Sequence, residues 1–66
     1  MRLTVNGKLL ELDGGPTVST LLEHLKIGRE RVAVEVNLEI VPKATYETHL
    51  LQTDDKIEIV QFVGGG

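Results

Sequence analysis

The group hardest to attribute to folding is the end of the sequence, Val63-Gly64-Gly65-Gly66. Three successive glycines have no side chain to bury and lose the most conformational freedom when fixed, so they are expected to stay mobile. Extended, they would carry the Gly66 carboxyl group about 10 Å past the last strand. Without Cβ atoms they are narrow enough to thread a channel into another protein's active site. Their reactive group is the α-carboxylate of Gly66, ionised at neutral pH because its reference pKa is about 3.3–3.7. A carboxylate is a poor acyl donor until activated, and an acyl-adenylate is the usual chemical solution. A plain linker has the same composition, so the glycines alone leave both readings open.

Other side chains offer less. His24 and His49 have no Cys or carboxylate spacing that resembles a metal site, and no metal is expected. Ser19 and the threonines lack a general-base pattern and read as helix and turn residues. Gly14-Gly15 is not followed by the Lys-Ser/Thr of a phosphate-binding loop. Glu11, Glu35 and Glu58 could form an acidic strip, although such charges are more often simply solvated. Nothing assembles an autonomous active site. The chemistry points to a protein that is acted upon.

Composition narrows the setting. Sixty-six residues make one domain, and a chain this short buries only about 60% of its unfolded surface. There is no cysteine, which removes disulfides, thiolate nucleophiles and sulfur-ligated zinc, and favours a reducing cytoplasm. The formal charge of −3 and pI near 5.2 argue against nucleic acid as the main partner, because that affinity needs clustered Lys and Arg. They suit a partner with a basic patch. No apolar run approaches the roughly 20 residues of a membrane span, and the first residues lack a signal peptide's apolar stretch.

The elements that must carry the tail can be read from periodicity. Asn6-Gly7 is a strong two-residue turn signal. It predicts a hairpin over residues 1–12 with Met1, Leu3, Val5, Leu10 and Leu12 on one apolar face and Arg2, Thr4, Leu9 and Glu11 on the other. Asp13-Gly14-Gly15-Pro16 breaks the chain. Val18, Leu21, Leu22 and Leu25 then repeat with helical spacing, capped by Thr17 and stopped at Gly28. Val32, Val34 and Val36 alternate as a half-buried strand. Residues 39–41 form a short strand that Pro42 confines to an edge. Residues 43–55 are mixed, with Tyr46, Leu50 and Leu51 as anchors. The last strand spans residues 56–63, with Ile57 and Ile59 on one face and Glu58, Val60 and Phe62 on the other.

The predicted order is β-β-α-β-β-β, an α+β chain with one helix covering one face of a small mixed sheet. That is the β-grasp, or ubiquitin-like, arrangement, over residues 1–63, with residues 64–66 as a tail. A single helix leaves the opposite sheet face uncovered. Leu9, Ala33, Val60 and Phe62 point there, with Glu58 among them. An apolar patch beside a reactive tail reads as a docking face.

The run Val32-Ala33-Val34-Glu35-Val36-Asn37, then Ile40-Val41-Pro42, Ile57-Glu58-Ile59-Val60 and the closing Phe62-Val63-Gly64-Gly65-Gly66, resembles the ThiS family of thiamin-biosynthesis sulfur carriers. The likeness covers essentially the whole chain. The resemblance implies a protein cosubstrate, not an enzyme. A ThiF-like activating enzyme would use ATP to adenylate the Gly66 carboxylate. Sulfur from a persulfide-bearing donor protein would then displace AMP and leave a thiocarboxylate. A ThiG-like thiazole synthase would take that sulfur into the thiazole ring, using a deoxyxylulose phosphate and a glycine-derived imine. Gly64 and Gly65 would occupy the enzyme channel, and the patch around Val60 and Phe62 would dock both enzymes in turn. No bound cofactor is implied.

Two residues depart from the family's habit. Leu38 follows Asn37 where a smaller turn residue would be easier, and Asp54 replaces a common glycine before Asp55. Both lie in turns away from the tail. Three other readings share the fold: a sulfur carrier for molybdopterin, tRNA thiolation or cysteine synthesis, a ubiquitin-like modifier conjugated through Gly66, and a β-grasp RNA-binding module. The acidic charge and the glycine end weigh against the last.

Overall fold

A computed structural model describes residues 1–62. Val63, Gly64, Gly65 and Gly66 lie outside the described residues, and so do the domain limit at residue 63 and the tail at residues 64–66.

Two short hairpins form the outer parts of the sheet. In the first, β1 (Arg2–Val5) pairs antiparallel with β2 (Lys8–Glu11), with Leu3 opposite Leu10 and Val5 opposite Lys8. Asn6 at φ 48° and Gly7 at φ 82° give the two positive angles that a type I′ turn needs. In the second, β3 (Val32–Val36) pairs with β4 (Glu39–Ile40), placing Val36 opposite Glu39 and Glu35 opposite Ile40. Here the turn residues are Asn37 at φ 53° and Leu38 at φ 70°, and Leu38 is 87% exposed. The resemblance drew attention to this leucine, and it does adopt the costly left-handed conformation. Asp54 does the same at φ 70°.

The last strand, β5 (Lys56–Gln61), enters between the hairpins. The sheet order is β2-β1-β5-β3-β4, with β5 parallel to β1 and antiparallel to β3. Among the described residues the strand ends at Gln61, whose partner Val32 is the first residue of β3; the expected bound at residue 63 lies outside them. The Phe62 N–H still donates to the Arg31 carbonyl at 2.8 Å.

One helix, α1 (Val18–His24), covers one face. The Thr17 hydroxyl accepts the Thr20 N–H at 3.1 Å, the expected N-cap. Val18, Leu21 and Leu22 are fully packed against Leu3, Val34, Ile57 and the other inward strand residues, with Leu25 partly buried beside them. Seven residues are too few for an isolated helix, so this packing is what holds it. The layers and element order are those of the β-grasp.

The helix stops earlier than the sequence suggests. Gly28 has an ordinary φ of −70° and opens a 3-10 turn, Arg29–Arg31. The left-handed residue is Lys26, at φ 60°. Its N–H donates to the Glu23 carbonyl at 3.0 Å, and the Ile27 N–H donates to that of Leu22 at 2.9 Å. This is a Schellman closure with lysine where glycine is usual. It forms because Ile27, next in the chain, packs against the core. Lys26→Gly is therefore expected to stabilise the domain by about 1 kcal/mol, less some unfolded-state entropy. A thermal midpoint below wild type would contradict this.

The segment before β5 contributes Tyr46 and Leu51 to the core, but Leu50 is 62% exposed, a correction to its expected anchoring. The chain is extended here, with Leu50 bridged to Thr17 and the Leu51 N–H bonded to the Pro16 carbonyl at 2.9 Å. Adjacent side chains then point oppositely, and only Leu51 faces inward.

Tyr46 is 1% exposed, with the Arg29 guanidinium 5.5 Å from its ring centre. Burial pushes its phenol above the ordinary 10.0, with Arg29 and the Val34 backbone pulling weakly the other way. A raised folded pKa means that this group's stabilisation is complete below pH about 10 and is lost as pH rises towards the folded value. Tyr46 is the only tyrosine and there is no tryptophan, so phenolate absorbance reports it alone. The native titration midpoint is expected above that in urea. Coincident midpoints would contradict the burial argument.

Candidate functional site

The helix-free face is built by alternation. Leu3, Val5, Ile57 and Ile59 turn towards the helix, so Arg2, Thr4, Lys56, Glu58 and Val60 turn away. Residues directly opposite share a face. Ala33, opposite Val60, joins them, as does Glu35, opposite Glu58. Phe62 follows Val60 by two residues. Val60 and Phe62 are each 55% exposed. Ala33, Val60 and Phe62 thus form one apolar group at the end of β5 from which the chain continues towards Gly64, Gly65 and Gly66.

The register removes Leu9 from that group. Leu9 is exposed on the same face, but it lies opposite Thr4, which pairs with Lys56. Two strand spacings and four residues along the sheet separate it from Val60, roughly 16 Å at ordinary sheet dimensions. Glu11, opposite Arg2, is farther still, so the expected acidic strip reduces to Glu35 and Glu58.

One apolar residue of this face escaped the periodicity argument. Ile40, opposite Glu35, is 75% exposed. Reading Asn37-Leu38 as a two-residue turn would have fixed that pairing and placed Ile40 outward. Ile40 and Val60 therefore flank the two glutamates. Like charges directly opposite repel, and the ion pairs among the described residues, Met1 with Asp13 and Arg29 with Glu47, lie elsewhere.

The remaining polar residues are structural. His24 is exposed on the outer helix face, and the His49 carbonyl accepts the Val18 N–H at 3.1 Å. A shallow cavity of about 240 Å³ lies near His49 and Asp55. The Asp55 carboxylate there accepts from Asn37 Nδ2 at 2.9 Å and from the Gln52 N–H at 2.8 Å, closing the turn into β5. Among the described residues, no group of three or more His, Cys, Asp or Glu could hold a metal ion.

Each hairpin turn also holds β5 through its asparagine. The Asn37 N–H donates to the Lys56 carbonyl at 2.7 Å, and Asn37 Oδ1 accepts the Lys56 N–H at 3.0 Å. Towards the other end, Asn6 Oδ1 accepts the Ile59 N–H at 2.7 Å and Asn6 Nδ2 donates to the Ile59 carbonyl at 3.1 Å.

Residues 3–66 match the model of the ThiS family. The sulfur carrier protein ThiS of Escherichia coli (strain K12) is 32% identical over 66 residues, all of both chains. A crystal structure of a thiamine biosynthesis protein (ThiS) from Geobacter metallireducens superposes with a TM-score of 0.83 at 38% identity, covering both chains completely. A thiazole synthase of Paramagnetospirillum magneticum is 46% identical over the whole of this chain, which spans 20% of that protein. The chain likewise spans 20% of a second thiazole synthase, from Magnetococcus marinus.

Proposed function

The chain belongs to the ThiS family of sulfur carriers in thiamine biosynthesis, and from that premise we propose that the carboxyl group of Gly66 carries the sulfur. The supporting observation is that the family match runs through to residue 66, so the glycine run is part of what the chain shares with the family. As a carrier, the protein is not itself an enzyme. Its carboxylate attacks the α-phosphorus of ATP on a ThiF-like enzyme, pyrophosphate leaves, and the acyl-adenylate forms. The outer sulfur of a partner's persulfide then attacks the acyl carbon and AMP leaves, giving an acyl disulfide. A second partner thiol attacks the partner-side sulfur, forming a disulfide there and releasing the thiocarboxylate on Gly66. The chain contains no cysteine, so every thiol in this sequence of steps belongs to a partner.

The acceptor in this reading is a ThiG-like thiazole synthase. Two proteins of that name contain a stretch matching this entire chain, a natural arrangement for a carrier and the enzyme that empties it. Docking uses Ala33, Val60 and Phe62, with Glu58 and its neighbour Glu35 calling for basic groups on the partner. Gly64 and Gly65 fill the channel between that surface and the reacting centre. Leu9 would be reached only by a footprint extending across β1. The setting is a reducing cytoplasm, and no described helix is long and apolar enough to cross a membrane.

Intact mass before and after incubation with such an activating enzyme, ATP and a sulfur donor tests the reading. Exchange of one oxygen for one sulfur at the carboxyl end is expected. A thiol-selective alkylating reagent should then label the loaded chain and leave the unloaded one untouched. AMP release without a mass change would favour conjugation through Gly66, and no AMP would leave only a binding module.

A further inference from the structure

We propose that Asn6 is a positioning residue for the loading reaction, because its amide completes the β1–β5 ladder and aims the end of β5. The inference rests on the carrier reading above. Ordinary parallel pairing between the strands runs from Thr4, whose N–H donates to the Asp55 carbonyl at 3.0 Å, to Asn6, whose N–H donates to the Ile57 carbonyl at 2.9 Å. At Asn6 the chain turns back into β2, and its main chain can follow β5 no farther. The side chain continues the ladder. Its Oδ1 and Nδ2 take both main-chain groups of Ile59, which a continued parallel strand would meet with a carbonyl of one residue and the N–H of another two positions on.

Past Ile59, among the described residues, the strand is paired on the β3 side only, through Ala33–Val60, Val32–Gln61 and the Phe62 N–H to the Arg31 carbonyl just before β3. Ile59 stands one residue before Val60 and three before Phe62, the apolar side chains that dock. Bonding Ile59 to Asn6 on one edge, with Val34 paired opposite it on the other, fixes the strand's twist at that point, and hence the direction in which Val60 and Phe62 are presented. Without the amide, β5 hinges about β3 from Ile59 onward. The fraction of molecules in the docking orientation falls, and the apparent affinity falls by that fraction. Once a molecule is bound, the carboxylate reaches the same place. The expected signature is a raised KM for the carrier at unchanged kcat.

Asn6→Gly isolates the effect, because glycine accepts φ 48° without strain. Asn6→Asp retains the acceptor for the Ile59 N–H and loses the donor. Val18→Ala, on the buried face of the helix and away from the docking face, supplies a folded protein with a comparable fall in thermal midpoint. In carrier-dependent pyrophosphate exchange with the activating enzyme, Asn6→Gly should raise KM about tenfold if the docking-competent fraction drops to a tenth. Asn6→Asp should fall between it and wild type, and Val18→Ala should match wild type. Amide exchange of the free protein should show Ile59 losing protection in Asn6→Gly. A KM for Asn6→Gly equal to that of Val18→Ala, or unchanged Ile59 protection, would overturn the proposal and leave the carrier reading intact. Failure of wild type to support any exchange would overturn both.

Discussion

Deletion of Gly66 is expected to abolish sulfur loading while leaving the fold and its thermal midpoint unchanged. Every buried residue of the described core lies between Leu3 and Ile59, and the deletion leaves all of them in place. The chemistry depends on reach. A chain ending at Gly65 carries its carboxylate about 3.5 Å short of the original position. Nucleophilic attack needs reacting atoms about 3–3.5 Å apart, and a 1 Å misplacement can already cost about a hundredfold. Loss of at least that size is expected in pyrophosphate exchange. Amidation of Gly66 keeps the length and removes the nucleophile, so it should be as damaging. Normal loading of either variant would show that the sulfur resides elsewhere.

Phe62→Asp is expected to weaken binding to the activating enzyme by about thirtyfold or more, the scale of an aromatic interface anchor lost. Two effects add. The substitution removes an apolar side chain 55% exposed in the free protein, and it adds a carboxylate to the part of the face that already carries Glu35 and Glu58. Stability should change by no more than about 0.5 kcal/mol, as for an exposed position. Titration calorimetry separates binding from folding. Equal affinity for the variant would mean that the helix-free face is not the docking surface.

The local rules reached most of this architecture. Asn6-Gly7, the helical leucine spacing and the Val32-Val34-Val36 alternation each determine geometry within a few residues, and the structure follows them. What they could not supply was adjacency. Nothing in the period of β5 says that it lies between β1 and β3, and that order separates Leu9 from Val60 while bringing Glu35 opposite Glu58. The helix end was misplaced for a related reason. Gly28 is the better left-handed residue by conformational preference, but burial of Ile27 decides where the helix closes, and Lys26 accepts the strain. Asn6 shows both sides of the limit. Its turn was obvious from Asn-Gly, and its second role, bonded to a residue 53 positions away, was not.

The placement of β5 bears on how the domain assembles. Both hairpins close through two-residue turns, and such local structures form on a microsecond scale. Joining them waits for the strand that comes last in the chain, whose partners in β1 are separated from it by more than fifty residues. That closure carries the loop entropy and sets the folding rate. Val60 becomes part of a continuous face only when β5 has inserted, which couples presentation of the docking surface to the final step of folding. A carrier that has not completed its sheet would offer an activating enzyme a glycine end with no surface to recognise it by.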